Sequence, residues 1–172
     1  MERNGLLEVG GKDVTIVGPD IEVGQPAPEF TLVDQDWQKV DVLKATEGKV
    51  RIIAPVYSLD TGTCEAETKR FNDEAAQLGD DIAIITVSAD LPMAQKRWCG
   101  AAGVDQLMVL SDHYDTNFGE SYGLLIKERR MLRRAAFVVD KAGKVVYADY
   151  MPVLGEQPKY EEVLEAARAA AD

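Results

Sequence analysis

"VRIIAPVYSLDTGTC", Val50 to Cys64, is the stretch that decides the fold. Its first eight residues, Val50–Tyr57, are nearly continuously apolar apart from Arg51, as expected of a central strand covered on both faces. Hydroxyl, acidic and glycine residues break the run, and Cys64 opens a new pattern. Cys64, Thr68, Phe71, Ala75 and Leu78 recur at spacings of 4, 3, 4 and 3. That is one face of a helix, which Gly79 ends. A strand feeding a helix puts Cys64 where α/β sheets bind their ligands.

Outward from this unit the same alternation continues. "IAIITVSAD" (82–90) reads as a second buried strand. "LPMAQKRWCGAAG" (91–103) reads as a short helix with Pro92 in its first turn, and "QLMVLSD" (106–112) as a third strand. "RAAFVVDKAGKVVYADY" (134–150) is a hairpin about a Lys-Ala-Gly turn, and "KYEEVLEAARAAA" (159–171) an amphipathic closing helix. Upstream, 5–17 suggests a hairpin around Gly10-Gly11. Two prolines in "VGQPAPEFTLVD" (23–34) stiffen an extended approach to a strand at Phe30–Val33. The order predicts an α/β fold with a mixed central sheet flanked by helices.

The chain has 172 residues, 46% hydrophobic and 28% charged, which suits one domain over 1–172, with 1–22 as an N-terminal extension. A net charge of −11 disfavours nucleic acid and anionic membranes. The N-terminus lacks the basic and apolar regions of a secretion signal, and no window approaches the ~20 apolar residues of a membrane span. The expected location is cytoplasmic. Two cysteines 35 positions apart form neither a disulfide framework nor a Cys-x-x-Cys motif. With the single His113, expected in a loop, they fall short of the four ligands of a structural zinc site. No cofactor is expected.

A helix N-terminus carries unpaired N–H groups and roughly half a positive charge, so a thiolate at position 64 would be stabilised there. Thr61 can present its hydroxyl to the same sulfur. The acids Glu65 and Glu67 are expected on the solvated outer face of the helix. Free cysteine also serves as a small buried hydrophobe, so a reactive and a merely packed Cys64 both remain open on position alone. By itself Cys99, between a packing Trp98 and a glycine, reads as packed, with Lys96 and Arg97 on a solvated face.

The strings "SLDTGTC", "TVSADLPMAQKRWCG" and "RRAAFVVD" resemble the thiol peroxidase branch of the peroxiredoxins, the atypical two-cysteine type. "GQPAPEFTLVD" and the N-terminal β-hairpin resemble that family too, so the likeness covers essentially the whole chain. It implies a thioredoxin-like fold and a homodimer. The implied reaction reduces alkyl hydroperoxides and hydrogen peroxide. Cys64 would be the peroxidatic residue, oxidised to a sulfenic acid, and Cys99 the resolving residue that closes an intramolecular disulfide. A thioredoxin-type partner would reopen it. Thr61 would hydrogen-bond sulfur and peroxide, and Arg134 would stabilise the thiolate and polarise the substrate. Arg133 would face the other way. A disulfide needs Cα atoms within about 4.4–6.8 Å, so the resemblance further implies local unwinding of both cysteine segments during turnover.

One position departs from the family pattern. Proline belongs seven residues before the peroxidatic cysteine, and here that residue is Tyr57, with Pro55 two residues early. Tyrosine restores a backbone N–H, frees φ and is larger, so it borders the substrate pocket differently. The competing reading is therefore a degenerate peroxiredoxin with weak or altered activity, serving as a redox-responsive binding protein. A dithiol oxidoreductase would want Cys-x-x-Cys, and a cysteine hydrolase a histidine base.

Overall fold

The structure, a computed structural model, describes Met1 to Asp172. The N-terminal strands are β1 (Glu2–Arg3), β2 (Glu8–Val9), β3 (Lys12–Asp13) and β4 (Ile16–Val17). Then come β5 (Thr31–Val33), β6 (Lys39–Asp41), α1 (Val42–Ala45), β7 (Val50–Pro55), α2 (Gly62–Leu78), β8 (Ile82–Ser88) and α3 (Pro92–Ala102). The chain continues through β9 (Met108–Ser111), α4 (Asn117–Ser121), β10 (Leu125–Ile126) and β11 (Met131–Leu132). It ends with β12 (Ala135–Val139), β13 (Val145–Tyr150) and α5 (Tyr160–Ala171).

Seven strands form the main sheet in the order β13-β12-β7-β8-β9-β5-β6. β7, β8 and β9 run parallel, and the flanking strands pair antiparallel. This is the expected mixed sheet. Alternation along β7 explains why it lies inside. Val50, Ile52 and Ala54 face a core with Phe71 of α2 and Val163, Leu164 and Ala167 of α5. Ile53 faces the opposite core, with Phe30, Phe118, Tyr122 and Phe137.

Arg51 is buried on that strand because backbone oxygens surround it. Its guanidinium donates to Leu43 O at 2.7 Å, Asp140 O at 2.8 Å and Thr46 Oγ1 at 2.8 Å. α1 is thereby fastened to the sheet.

The N-terminal hairpin forms as β2 against β3, with Gly10 and Gly11 at φ 61° and 75°, a turn that needs two left-handed residues. Ile16 and Val17 belong elsewhere: β4 joins a second, four-stranded sheet, β1-β4-β10-β11. The strand expected from Phe30 begins at Thr31, and the strand expected to reach Tyr57 ends at Pro55. Val56 still donates to Val87 O at 2.8 Å, but the chain turns away after it to reach α2. No helix is long and apolar enough to cross a membrane.

Removing the Arg51 guanidinium takes away the donors to the half-buried Leu43 carbonyl and to the buried Thr46 hydroxyl, while Asp140 O keeps its bond from Gly143 N. Arg51→Ala is expected to lower the unfolding free energy by about 3 kcal/mol, read from the urea midpoint.

Candidate functional site

The loop between β7 and α2 is stiffened by its own small residues. Ser58 O accepts from Thr61 N at 3.1 Å and from Thr61 Oγ1 at 2.8 Å. Thr61 is the last extended residue (φ −100°, ψ 141°), and its carbonyl accepts the first helical bond, from Glu65 N at 2.9 Å. Cys64 therefore lies in the first turn of α2, and its side chain is fully buried.

Arg134 comes to that sulfur from the residue just before β12. Its Nη2 donates to Cys64 Sγ at 2.8 Å, and Nε and Nη2 donate to Leu154 O at 3.2 and 3.0 Å. Nη1 is paired with the Glu67 carboxylate. Arg134 is only 1% exposed. Arg133 turns the other way, stacking 4.7 Å over the Tyr150 ring and reaching Asp20 at 3.5 Å.

Glu67 corrects the expectation of a solvated acid. It is fully buried, one helical turn from Cys64 and on the same face. Burial pushes its carboxyl up to about 7, against the opposing pull of the Arg134 charge and hydrogen bond. Its other oxygen, Oε1, has no partner. Glu65 does lie outward, paired with Lys69 at 2.6 Å.

Thr61 is placed beside the cysteine turn, but its hydroxyl hydrogen is committed to Ser58 O rather than to the sulfur. A hydroxyl oxygen keeps lone pairs when it donates, so Thr61 stands at the site as an acceptor.

Cys99 lies in the last half of α3, 7% exposed, with Gln35 Nε2 donating to its sulfur at 3.5 Å. Burial pushes this thiol up and the Gln35 bond pulls it down. Both cysteines are free thiols in one apolar cluster with Val56, Leu59, Val104 and Val109. Trp98 and Tyr57 pack on its edge, while Lys96 and Arg97 are exposed as expected. Tyr57 also packs against Leu7, Val9, Val14, Ile16 and Ile126, so it bridges the cysteine cluster and the N-terminal hairpin. His113 lies in the turn after β9.

Sequence reasoning missed Glu67, Gln35 and Leu154. Glu67 had a usable signal: position 67 is one turn from Cys64, on the buried stripe.

A thiol in the first turn after a central strand, under a buried arginine, defines a thioredoxin-like fold carrying redox cysteine chemistry. The Redoxin family model matches residues 22–164, and the chain belongs to that family. The thiol peroxidase of Bacillus subtilis is 50% identical over 159 residues, 92% of this chain and 94% of the relative. That of Halalkalibacterium halodurans is 47% identical over 160 residues, 93% and 95% of the two chains. The crystal structure of a peroxiredoxin-like protein from Aquifex aeolicus superposes with TM-score 0.86 at 38% identity, covering 98% of this chain and 97% of that one. Within the redoxins the chain falls in the thiol peroxidase branch of the peroxiredoxins, and its activity is thiol-dependent reduction of a peroxide.

The raised carboxyl of Glu67 makes stability depend on pH. A group whose folded value lies above its unfolded 4.5 holds more protons folded than unfolded. Its contribution is complete below about pH 4.5 and is lost as pH rises through about 7. Glu67→Gln is expected to flatten the fall in urea midpoint between pH 5 and pH 8 relative to the unsubstituted chain. A fall of equal size in both would assign the dependence to other groups.

Proposed function

We propose that Cys64 is the thiol that reacts with hydroperoxide. Its thiolate attacks the O–O bond, forming S–O as the O–O pair leaves on the distal oxygen, which is protonated to alcohol or water. The product at Cys64 is a sulfenic acid. One observation carries this reading: Arg134 Nη2 donates to Cys64 Sγ at 2.8 Å inside a site closed to solvent. A guanidinium there stabilises sulfur as an anion and has a planar fork that can also engage the peroxide oxygens. Thr61, its hydrogen already donated, accepts the O–H of the peroxide and so orients it. Tyr57, half-buried on the rim of the same cluster, takes the proline's place as a wall of the substrate pocket.

Cys99 is the resolving thiol in this reading. Its sulfur displaces the hydroxyl of the Cys64 sulfenic acid, so an S–S bond forms, the S–O bond breaks and water leaves. A thioredoxin-type dithiol then reduces the disulfide by exchange. Shared membership of one apolar cluster supports the pairing. Alkyl hydroperoxides and hydrogen peroxide are the proposed substrates, the homodimer the proposed assembly and the cytoplasm the proposed location.

Steady-state peroxide reduction with a thioredoxin system tests these roles. Cys64→Ser is expected to abolish turnover. Cys99→Ser should keep a single-turnover reaction and lose recycling through the internal disulfide. Arg134→Ala should cost about a hundredfold in the first step, the usual effect of removing a positioned donor. Tyr57→Pro should stay active within a few-fold. Cys64→Ser turning over at the unsubstituted rate would refute the assignment.

A further inference from the structure

Asp90 lies two residues before α3, outside the site just described, and its carboxylate gathers the two segments that carry the cysteines. Oδ1 accepts from Ser58 Oγ at 2.8 Å, and Oδ2 accepts from Leu59 N at 2.9 Å and Ser88 Oγ at 2.7 Å. Ser58 and Leu59 belong to the loop that delivers Cys64. The Ser88 hydroxyl in turn accepts from Gln95 Nε2 at 3.0 Å, and Gln95 is one turn before Cys99 on α3. Gln95 is fully buried and also donates to Leu110 O at 2.9 Å. A continuous relay therefore runs from the Cys99 helix through Gln95, Ser88 and Asp90 to the Cys64 loop.

The packing between the two segments is open where this relay crosses. A cavity of about 250 Å³ lies beside Asp90, lined by Leu59 and Asp60 of the Cys64 loop and by Asp90, Ala94, Arg97 and Trp98 of the Cys99 helix segment. On this side the loop and the helix are joined by the Asp90 carboxylate across space into which either could move. Hydrogen bonds to an ionised acceptor are about twice as strong as neutral ones, so opening the segments means breaking strong contacts.

We propose that Asp90 is a positioning residue that latches the Cys64 loop to the start of the Cys99 helix and so limits the rate of disulfide closure. The proposal rests on the two-cysteine cycle above. While the latch holds, Cys64 stays under Arg134 in the geometry suited to peroxide attack. Its release frees the Cys64 loop from the start of the Cys99 helix, while Gln95 keeps its own bonds to Ser88 Oγ and Leu110 O. The sulfenic acid then meets Cys99, and S–S formation with loss of water completes the step. A sulfenic acid that stays latched is instead exposed to a second peroxide, which oxidises it to sulfinic acid and leaves as alcohol or water.

Step-resolved kinetics on the full-length protein, using cumene hydroperoxide, tests the latch. Stopped-flow fluorescence in a Trp37→Phe background follows the Trp98 environment, and acid quench with thiol alkylation separates the sulfenic-forming and disulfide-forming steps. Asp90→Ala should speed disulfide formation by about tenfold, the scale of one charge-assisted hydrogen bond on an opening equilibrium. Less sulfinic acid should form per turnover, and the peroxide step should not accelerate. Ser58→Ala, which removes one bond to the carboxylate and the 3.2 Å bond that Ser58 Oγ accepts from Asp60 N, should do the same by roughly threefold, the scale of one hydrogen bond. A substitution that merely damages the fold would slow the peroxide step without speeding closure. Unchanged or slower closure in Ser58→Ala, with a normal Cys64–Cys99 disulfide in the unsubstituted protein, would overturn the latch alone. Absence of that disulfide from the unsubstituted protein would overturn the two-cysteine cycle and the latch together.

Discussion

The guanidinium of Arg134 is the constraint around which the rest is arranged. Removing an arginine from water costs several kcal/mol even after the protein relaxes, so its surroundings must return that in well-aligned partners. They do so completely: a thiol sulfur, a carboxylate and a backbone carbonyl take all three nitrogens. Two of those partners, Cys64 and Glu67, stand one turn apart on α2, so the first two turns of that helix must press against the start of β12. The third, the Leu154 carbonyl, fixes a segment with no regular structure of its own. Leu154 and Tyr57 both rest on the apolar cluster of the N-terminal hairpin, which links that hairpin to the site. A short terminal appendage in sequence is thus part of what holds the arginine in place.

A sulfur and a carboxylate share one cation at this site. An ionised Glu67 satisfies Arg134 without help from sulfur, whereas a protonated Glu67 leaves the guanidinium charge to Cys64. Burial raises the Glu67 carboxyl into the neutral range, so the competition falls where a thiol site has to operate. In the proposed two-cysteine cycle, rigidity around Arg134 also sets a problem for disulfide closure, since Cys99 is on a different helix under Gln35. Chemistry at the first sulfur asks for a closed site, and joining the two sulfurs asks for an open one. The hydrogen bonds at the Asp90 junction, beside the apolar contacts of Leu59 and Trp98, fit that double demand, because a few polar contacts can break without dismantling a core.

Much of the fold could be read from pattern. The apolar run at 50–57, the 4-3-4-3 spacing after Cys64 and the proline of α3 each state their structure locally, so the strand–helix alternation was legible. Boundaries moved where tertiary contacts decided them: β7 stops at Pro55 because the chain leaves the sheet to carry Cys64. The segments 35–49 and 113–133 gave little signal. β10 and β11 are two residues each: β10 forms against Ile16 and Val17, and β11 pairs in turn with β10, while α4 follows Thr116 at φ 56°, an unusual conformation for a threonine. At the site both cysteines and Arg134 were legible, whereas Glu67, Leu154 and Gln35, which share the arginine or hold Cys99, were not. Glu67 was misread because an acid is solvated by default. Only the arrival of Arg134 from 67 positions away makes its burial tolerable. Thr61 was placed correctly in the chain, but a local carbonyl captured its hydrogen.

The central claim is that one peroxide consumes both thiols of one chain. Reduced protein treated with one equivalent of cumene hydroperoxide, alkylated within seconds and mapped by mass spectrometry, tests it most directly. The account predicts one alcohol released per chain, both thiols lost and a single Cys64–Cys99 linked peptide. Recovery of Cys64 fully alkylated after minutes would contradict it.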